Sequence, residues 1–185
     1  ANPIEDHQFP DLAAEDFAAE TKWDGIRVQA VATASGRRLY SRTGEDVGPA
    51  FPDLLDAMDW QGCVDGELLV VKGGETLPFA ELQRRLGRKT VSARMLAELP
   101  AHVRAYDLLH DGETDLRPLP YAERRARLAD WLARHGPARM DLSEEVAFEG
   151  WDDLRALRDA SREAGEEGLM LKRRDAPYVG GRPMG

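Results

Sequence analysis

The sequence predicts an α+β fold in which antiparallel sheets are flanked by helices. Three observations predict it: short Val- and Leu-rich runs of strand length are separated by helical patterns, tight polar turns join neighbouring runs, and no internal repeat or low-complexity linker divides the chain. At 185 residues, 42% hydrophobic and 32% charged, the chain is long and apolar enough for one substantial core. A single domain over 1–185 is expected.

Taken in order, the first strand is expected at 17–22 and turns through Asp24-Gly25 into a second at 26–32. The polar turn Ala34-Ser35-Gly36 returns the chain antiparallel into a third at 38–41. A helix at 52–58 precedes a strand at 63–71, whose run Leu68-Leu69-Val70-Val71 ends at Gly73-Gly74. Helices follow at 78–86 and 93–99, the latter with Ser92 as its N-cap. Strands at 103–109, 138–148 and 168–172 then alternate with helices at 121–135 and 151–164. From Pro177 onward, turn formers without apolar period predict an irregular tail.

Composition narrows the functional classes. No apolar run approaches a bilayer's thickness and no signal-like succession opens the chain, so no membrane association is expected. The lone cysteine, Cys63, has neither a disulfide partner nor a companion for a thiolate metal site. A cytoplasmic protein is the expectation. The net charge of -9, from 34 acidic and 25 basic residues, speaks against general nucleic-acid affinity and leaves only local basic tracks, such as Arg84, Arg85, Arg88 and Lys89, to contact phosphates. A solvated helix face explains that track equally well.

Five short segments carry candidate chemistry. In Glu20-Thr21-Lys22-Trp23-Asp24-Gly25-Ile26-Arg27 a lysine ends one strand and a glycine opens the turn to the next, and strand alternation points Glu20 and Lys22 the same way. Ser41-Arg42-Thr43-Gly44 places a guanidinium, whose planar fork suits phosphate oxygens, at a hairpin end. Val64-Asp65-Gly66-Glu67 leads a carboxylate into a buried run, where it needs a partner. Tyr106-Asp107-Leu108-Leu109 offers an aromatic ring, with core packing as an equal alternative. Glu166-Glu167-Gly168-Leu169-Met170-Leu171-Lys172 alternates so that Met170 and Lys172 share a face. The four histidines have no metal-ligand spacing, and no P-loop signature is present.

In this order the five segments resemble the motifs of the covalent nucleotidyltransferases, and specifically the adenylation domain of bacterial-type ATP-dependent DNA ligases, over about residues 20–172. The resemblance implies a nucleotidyltransferase (ATP-grasp-like) core in which Lys22 attacks the α-phosphate of ATP and becomes lysyl-AMP. Glu20, Arg27, Arg42, Glu67, Tyr106, Met170 and Lys172 would bind the nucleotide, with Tyr106 stacked on the base, Met170 beneath it and Lys172 near phosphate. Glu67 and Glu167 would hold Mg²⁺ or Mn²⁺. Because a free lysine has a pKa near 10.4, only about one amine in a few thousand is nucleophilic at neutral pH, so Lys22 needs activation. A carboxylate at Glu20 accepts a hydrogen bond from the adenine amino group and would repel the guanine carbonyl, which favours ATP over GTP. Transfer of AMP to a 5′-phosphate in nicked duplex DNA, then sealing, would serve replication, repair or recombination. RNA ligase, or a nucleotide-binding fragment without full sealing activity, is the alternative. The family continues into a Trp-x-Lys-x-Lys strand and an OB-fold domain, so a monomeric protein truncated before both is expected.

Overall fold

The computed structural model describes residues 4–163 and 167–180. In chain order its strands are β1 (Phe17–Thr21), β2 (Ile26–Thr33), β3 (Gly36–Ser41), β4 (Gly62–Lys72), β5 (Glu75–Thr76), β6 (Ala101–Asp111), β7 (Thr114–Asp115), β8 (Met140–Leu142), β9 (Glu145–Val146) and β10 (Leu169–Arg173). Its α-helices are α1 (Pro52–Ala57), α2 (Phe79–Gln83), α3 (Ala93–Glu98), α4 (Tyr121–His135) and α5 (Trp151–Glu163). The α+β class holds.

The strands form two sheets. A three-stranded sheet has the order β10-β1-β9, and a seven-stranded sheet has the order β3-β2-β4-β6-β7, with β5 on β4 and β8 on β6. All pairs are antiparallel except β6 with β8. Alternation builds the core on one face of the large sheet: Val28, Ala30 and Ala32 of β2, Val64, Leu68 and Val70 of β4, and Ala101, Val103 and Ala105 of β6 are buried together with Leu82, Leu128 and Trp131 from the helices. Each large apolar side chain so buried contributes roughly 1.5–3 kcal/mol. The other face, carrying Arg27, Asp65, Glu67, Arg104 and Tyr106, is left for the site.

Helix α4 begins after Pro120 and ends at Gly136 in the left-handed conformation, φ 49°. The Ser92 hydroxyl accepts the Met95 amide at 3.2 Å, as expected of an N-cap.

Two expectations are corrected. The strand expected at 138–148 is two strands in different sheets, β8 and β9, because the chain crosses from one sheet to the other at Ser143. Arg85 does not belong to a basic surface track. It is fully buried, donating to the Ala50 and Leu99 carbonyls and pairing bidentately with Asp53 at 2.7 and 2.9 Å. Arg84 is exposed but paired with Glu81 at 2.9 Å, and Arg88 and Lys89 are the exposed cations of that track with no ion pair among the described residues. Ala164, Glu166 and the tail beyond 180 lie outside the described residues. Among the described residues no helix is long and apolar enough to cross a membrane.

Candidate active site

Lys22 is the first residue beyond β1, on the link that carries the chain from the small sheet to the large one. Its amide donates to the Gly168 carbonyl at 2.8 Å, and its Nζ lies 3.3 Å from Oε2 of Glu167. The register Glu20↔Met170 and Ala18↔Lys172 puts Glu20, Met170 and Lys172 on one face of the small sheet. Two halves of the expected nucleotide-motif set therefore meet there.

Glu20 is 2% exposed. A carboxylate so buried must be paired, and three donors converge on it: Lys172 Nζ at 2.7 Å, the Tyr121 hydroxyl at 2.7 Å and Arg125 Nη1 at 3.5 Å. The Lys172 ammonium also lies over the Tyr106 ring, 4.3 Å from its centroid, a favourable placement for a cation. In this arrangement Lys172 is held at Glu20 and Tyr106. Burial, reinforced by Glu20, pushes the Tyr121 phenol well above its ordinary pKa.

The facing wall comes from the large sheet. The register Arg27↔Glu67 and Gln29↔Asp65 gathers these four side chains on the face opposite the core. Arg27 forks onto Asp65, Nε to Oδ1 at 3.1 Å and Nη2 to Oδ2 at 2.6 Å, so it is already engaged. Burial raises the pKa of Asp65, which is 1% exposed, against the lowering effect of Arg27. The Glu67 carboxylate accepts the Gly25 amide at 3.2 Å, and burial pushes its pKa up to about 7. Only glycine fits at position 25, since a Cβ there would sit 2.3 Å from the Leu68 carbonyl oxygen.

Tyr106 sits at a bulge in β6. Asp65 pairs with Asp107 and Gly66 with Ala105, so Tyr106 is the extra residue, and the bulge re-aims its side chain toward the cleft. Asp107 is held by a buried bidentate pair from Arg124, at 2.8 and 3.1 Å. The tail also returns here: Gln29 Nε2 donates to the Tyr178 hydroxyl at 2.9 Å.

A second acidic group surrounds Lys22. Partial desolvation and then the charge and hydrogen bond of Glu167 raise the pKa of Asp24, while Glu167 and Asp65 add to the rise at Glu67. Carboxylates that raise one another's pKa are relieved by a cation. Among the described residues no group of three such ligands is close enough to form a complete protein cage. A hard divalent cation held by one or two carboxylates together with substrate phosphates needs no such cage, so the pair Glu67 and Glu167 fits that mode. Arg42 is exposed in the turn after β3 and has no ion-pair partner among the described residues. A separate cavity of about 350 Å³, lined by Glu15, Phe17, Phe148 and Arg174 among others, lies on the Phe17 side of the small sheet and offers no nucleophile.

The residues that sequence reasoning missed are the supporting ones: Asp65, Tyr121, Arg124, Arg125 and Ser143. Asp65 shares the Asp-Gly-Glu segment and its alternation with Glu67 was a usable signal. For Tyr121, Arg125 and Ser143, contacts more than a hundred residues apart in sequence, such as Glu20 with Tyr121, leave no local trace; Arg124 meets Asp107 only because α4 folds back on β6.

A family model described as the ATP dependent DNA ligase domain matches residues 3–184. A DNA ligase of Haloferax volcanii is 41% identical over 170 residues, covering 89% of this chain and 28% of that protein. A probable DNA ligase of Koribacter versatilis is 33% identical over 206 residues, covering 98% of this chain and 36% of that protein. Among solved structures, mycobacterial DNA ligase D complexed with ATP and MES superposes with a TM-score of 0.69 at 32% identity, covering 93% of this chain and 53% of that one. The chain thus spans about a third or less of the length of these two curated relatives.

Proposed function

Since the chain belongs to the ATP dependent DNA ligase domain family, we propose that it is the adenylylating unit of an ATP-dependent DNA ligase with Lys22 as its nucleophile. The observation that carries the reading is the placement of the Lys22 amine on the link between two sheets, with Glu167 3.3 Å away, between the small-sheet face of Glu20 and Met170 and the large-sheet face of Tyr106. In the reaction the Lys22 nitrogen bonds to the α-phosphorus of ATP and the bond to pyrophosphate breaks. Lys22 must shed a proton for this, which passes to solvent as Glu167 leaves its ion pair with the ammonium for the bound cation. Glu67 and Glu167 would hold Mg²⁺ or Mn²⁺, which when bound supplies neutralisation of phosphate charge.

On the base side, Tyr106 and Met170 provide apolar faces, and Glu20 accepts the adenine amino group where it now accepts Lys172. A guanine carbonyl at that point meets a carboxylate, so ATP is preferred. Arg42, exposed and without an ion pair among the described residues, is the phosphate ligand that needs least rearrangement, whereas Arg27 acts from its fork with Asp65 and Lys172 must leave Glu20 to reach phosphate. The AMP then passes to a 5′-phosphate at a nick in duplex DNA, where the adjoining 3′-hydroxyl seals the strand. The greater length of the relatives supports an OB-fold domain in the full protein, and we place it in the cytoplasm as a monomer serving replication, repair or recombination.

The test is labelling of the full natural protein that carries this sequence with radiolabelled ATP and Mg²⁺. Acid-labile label is expected on the unsubstituted protein and absent from Lys22→Ala; an unlabelled wild type sinks the reading. Labelled GTP should give at least tenfold less. Nicked DNA and RNA duplexes then distinguish DNA from RNA ligase.

A further inference from the structure

Between named strands, the chain passes from one sheet to the other at two places: residues 22–25, between β1 and β2, and residues 143–144, between β8 and β9. These two crossings are bonded to each other. The Trp23 indole Nε1 donates to the Ser143 hydroxyl at 2.9 Å. Ser143 is 0% exposed and each of its polar groups is spent: its amide donates to Ala105 of β6 at 2.8 Å, its carbonyl accepts from Arg125 of α4, and its hydroxyl accepts from Trp23. The indole is fixed on a second side by Arg104, whose guanidinium lies 4.4 Å from the ring centroid and is itself locked to Asp141 at 3.0 and 3.1 Å.

We propose that Ser143, acting through Trp23, is a positioning residue that holds the Lys22 turn in register with the large sheet. The inference rests on Lys22 being the nucleophile. Lys22 is exposed and follows the last residue of β1, and among the described residues its side chain is restrained by Glu167 alone. The neighbouring indole, clamped between a hydroxyl and a guanidinium, fixes the backbone from which it projects. An amine misplaced by about 1 Å loses up to about a hundredfold in rate while binding is unaffected.

The chemistry allows a narrow test. Ser143→Ala removes only the hydroxyl and keeps both backbone bonds, and Trp23→Phe removes the indole N–H together with its five-membered ring while keeping an aromatic ring under Arg104. In the full natural protein, single-turnover adenylylation at saturating ATP should slow about tenfold in each variant, with the KM for ATP within twofold of the parent. The double variant should be no slower than either single one, since both delete one bond. Amide exchange at residues 22–25 should quicken in all three. Unchanged rate constants, or losses that multiply in the double variant, overturn the brace. Should the unsubstituted protein take up no label, the Lys22 reading fails by itself, and exchange at 22–25 alone decides: protection equal in parent and Ser143→Ala overturns the brace.

Discussion

Glu67 carries a testable pH dependence. Burial raises its folded pKa from an ordinary 4.5 to about 7, so the folded protein keeps a proton there that the unfolded chain releases. Below about pH 4.5 both states are protonated and the contribution is whole; as pH rises through about 7 it is lost. Glu67→Gln has no such proton, and the wild type should lose about 2 kcal/mol relative to it between pH 4.5 and 8, after allowance for solvent screening of a part-buried side chain. Urea titrations at the two pH values measure this, and parallel behaviour of the two proteins refutes it. Glu20→Ala leaves the Lys172 ammonium and the Tyr121 hydroxyl without their carboxylate, and thermal unfolding should report a loss of about 3 kcal/mol. Glu20 was legible in the sequence as a residue sharing a face with Lys22. Its burial was not, because the donors that bury it belong to α4 and β10.

Helix α2, five residues long, is too short to persist by propensity, and it is anchored by Leu82 within it and by Arg85 in the turn that follows it. Leu82 and Arg85 are one turn apart and both fully buried. Arg85→Ala deletes the partner of Asp53 and two carbonyl contacts and should cost about 3–5 kcal/mol, whereas Lys89→Ala, on exposed chain, should stay within about 0.5 kcal/mol. Differential scanning calorimetry of the pair checks both, and equal effects would contradict the assignment. The i,i+3 spacing from Leu82 to Arg85 was present in the sequence and outweighs the appearance of a basic run. Helix α4 was legible to the residue because Pro120 and Gly136 punctuate an amphipathic stretch. Strands β8 and β9, three and two residues long, are too brief to show a period, and only their partners in separate sheets reveal the break.

Across the whole molecule, a net charge of -9 leaves DNA affinity to local contacts. Residues 1–185 expressed alone should bind a nicked duplex with Kd weaker than about 10 µM at physiological salt, as befits few phosphate contacts. Fluorescence anisotropy would show it, and submicromolar binding would overturn it. The order of the five motifs singled out the candidate residues in the sequence, while the pairing of two sheets around them left no signal there, because the bonds that join the sheets link residues such as Trp23 and Ser143, 120 positions apart. Two sheets joined at adjacent crossings, 22–25 and 143–144, and tied again where Tyr121 and Arg125 reach Glu20, have little room to slide past one another near those links. Lys22 stands on one of the links, so its backbone belongs to the stretch that both sheets hold.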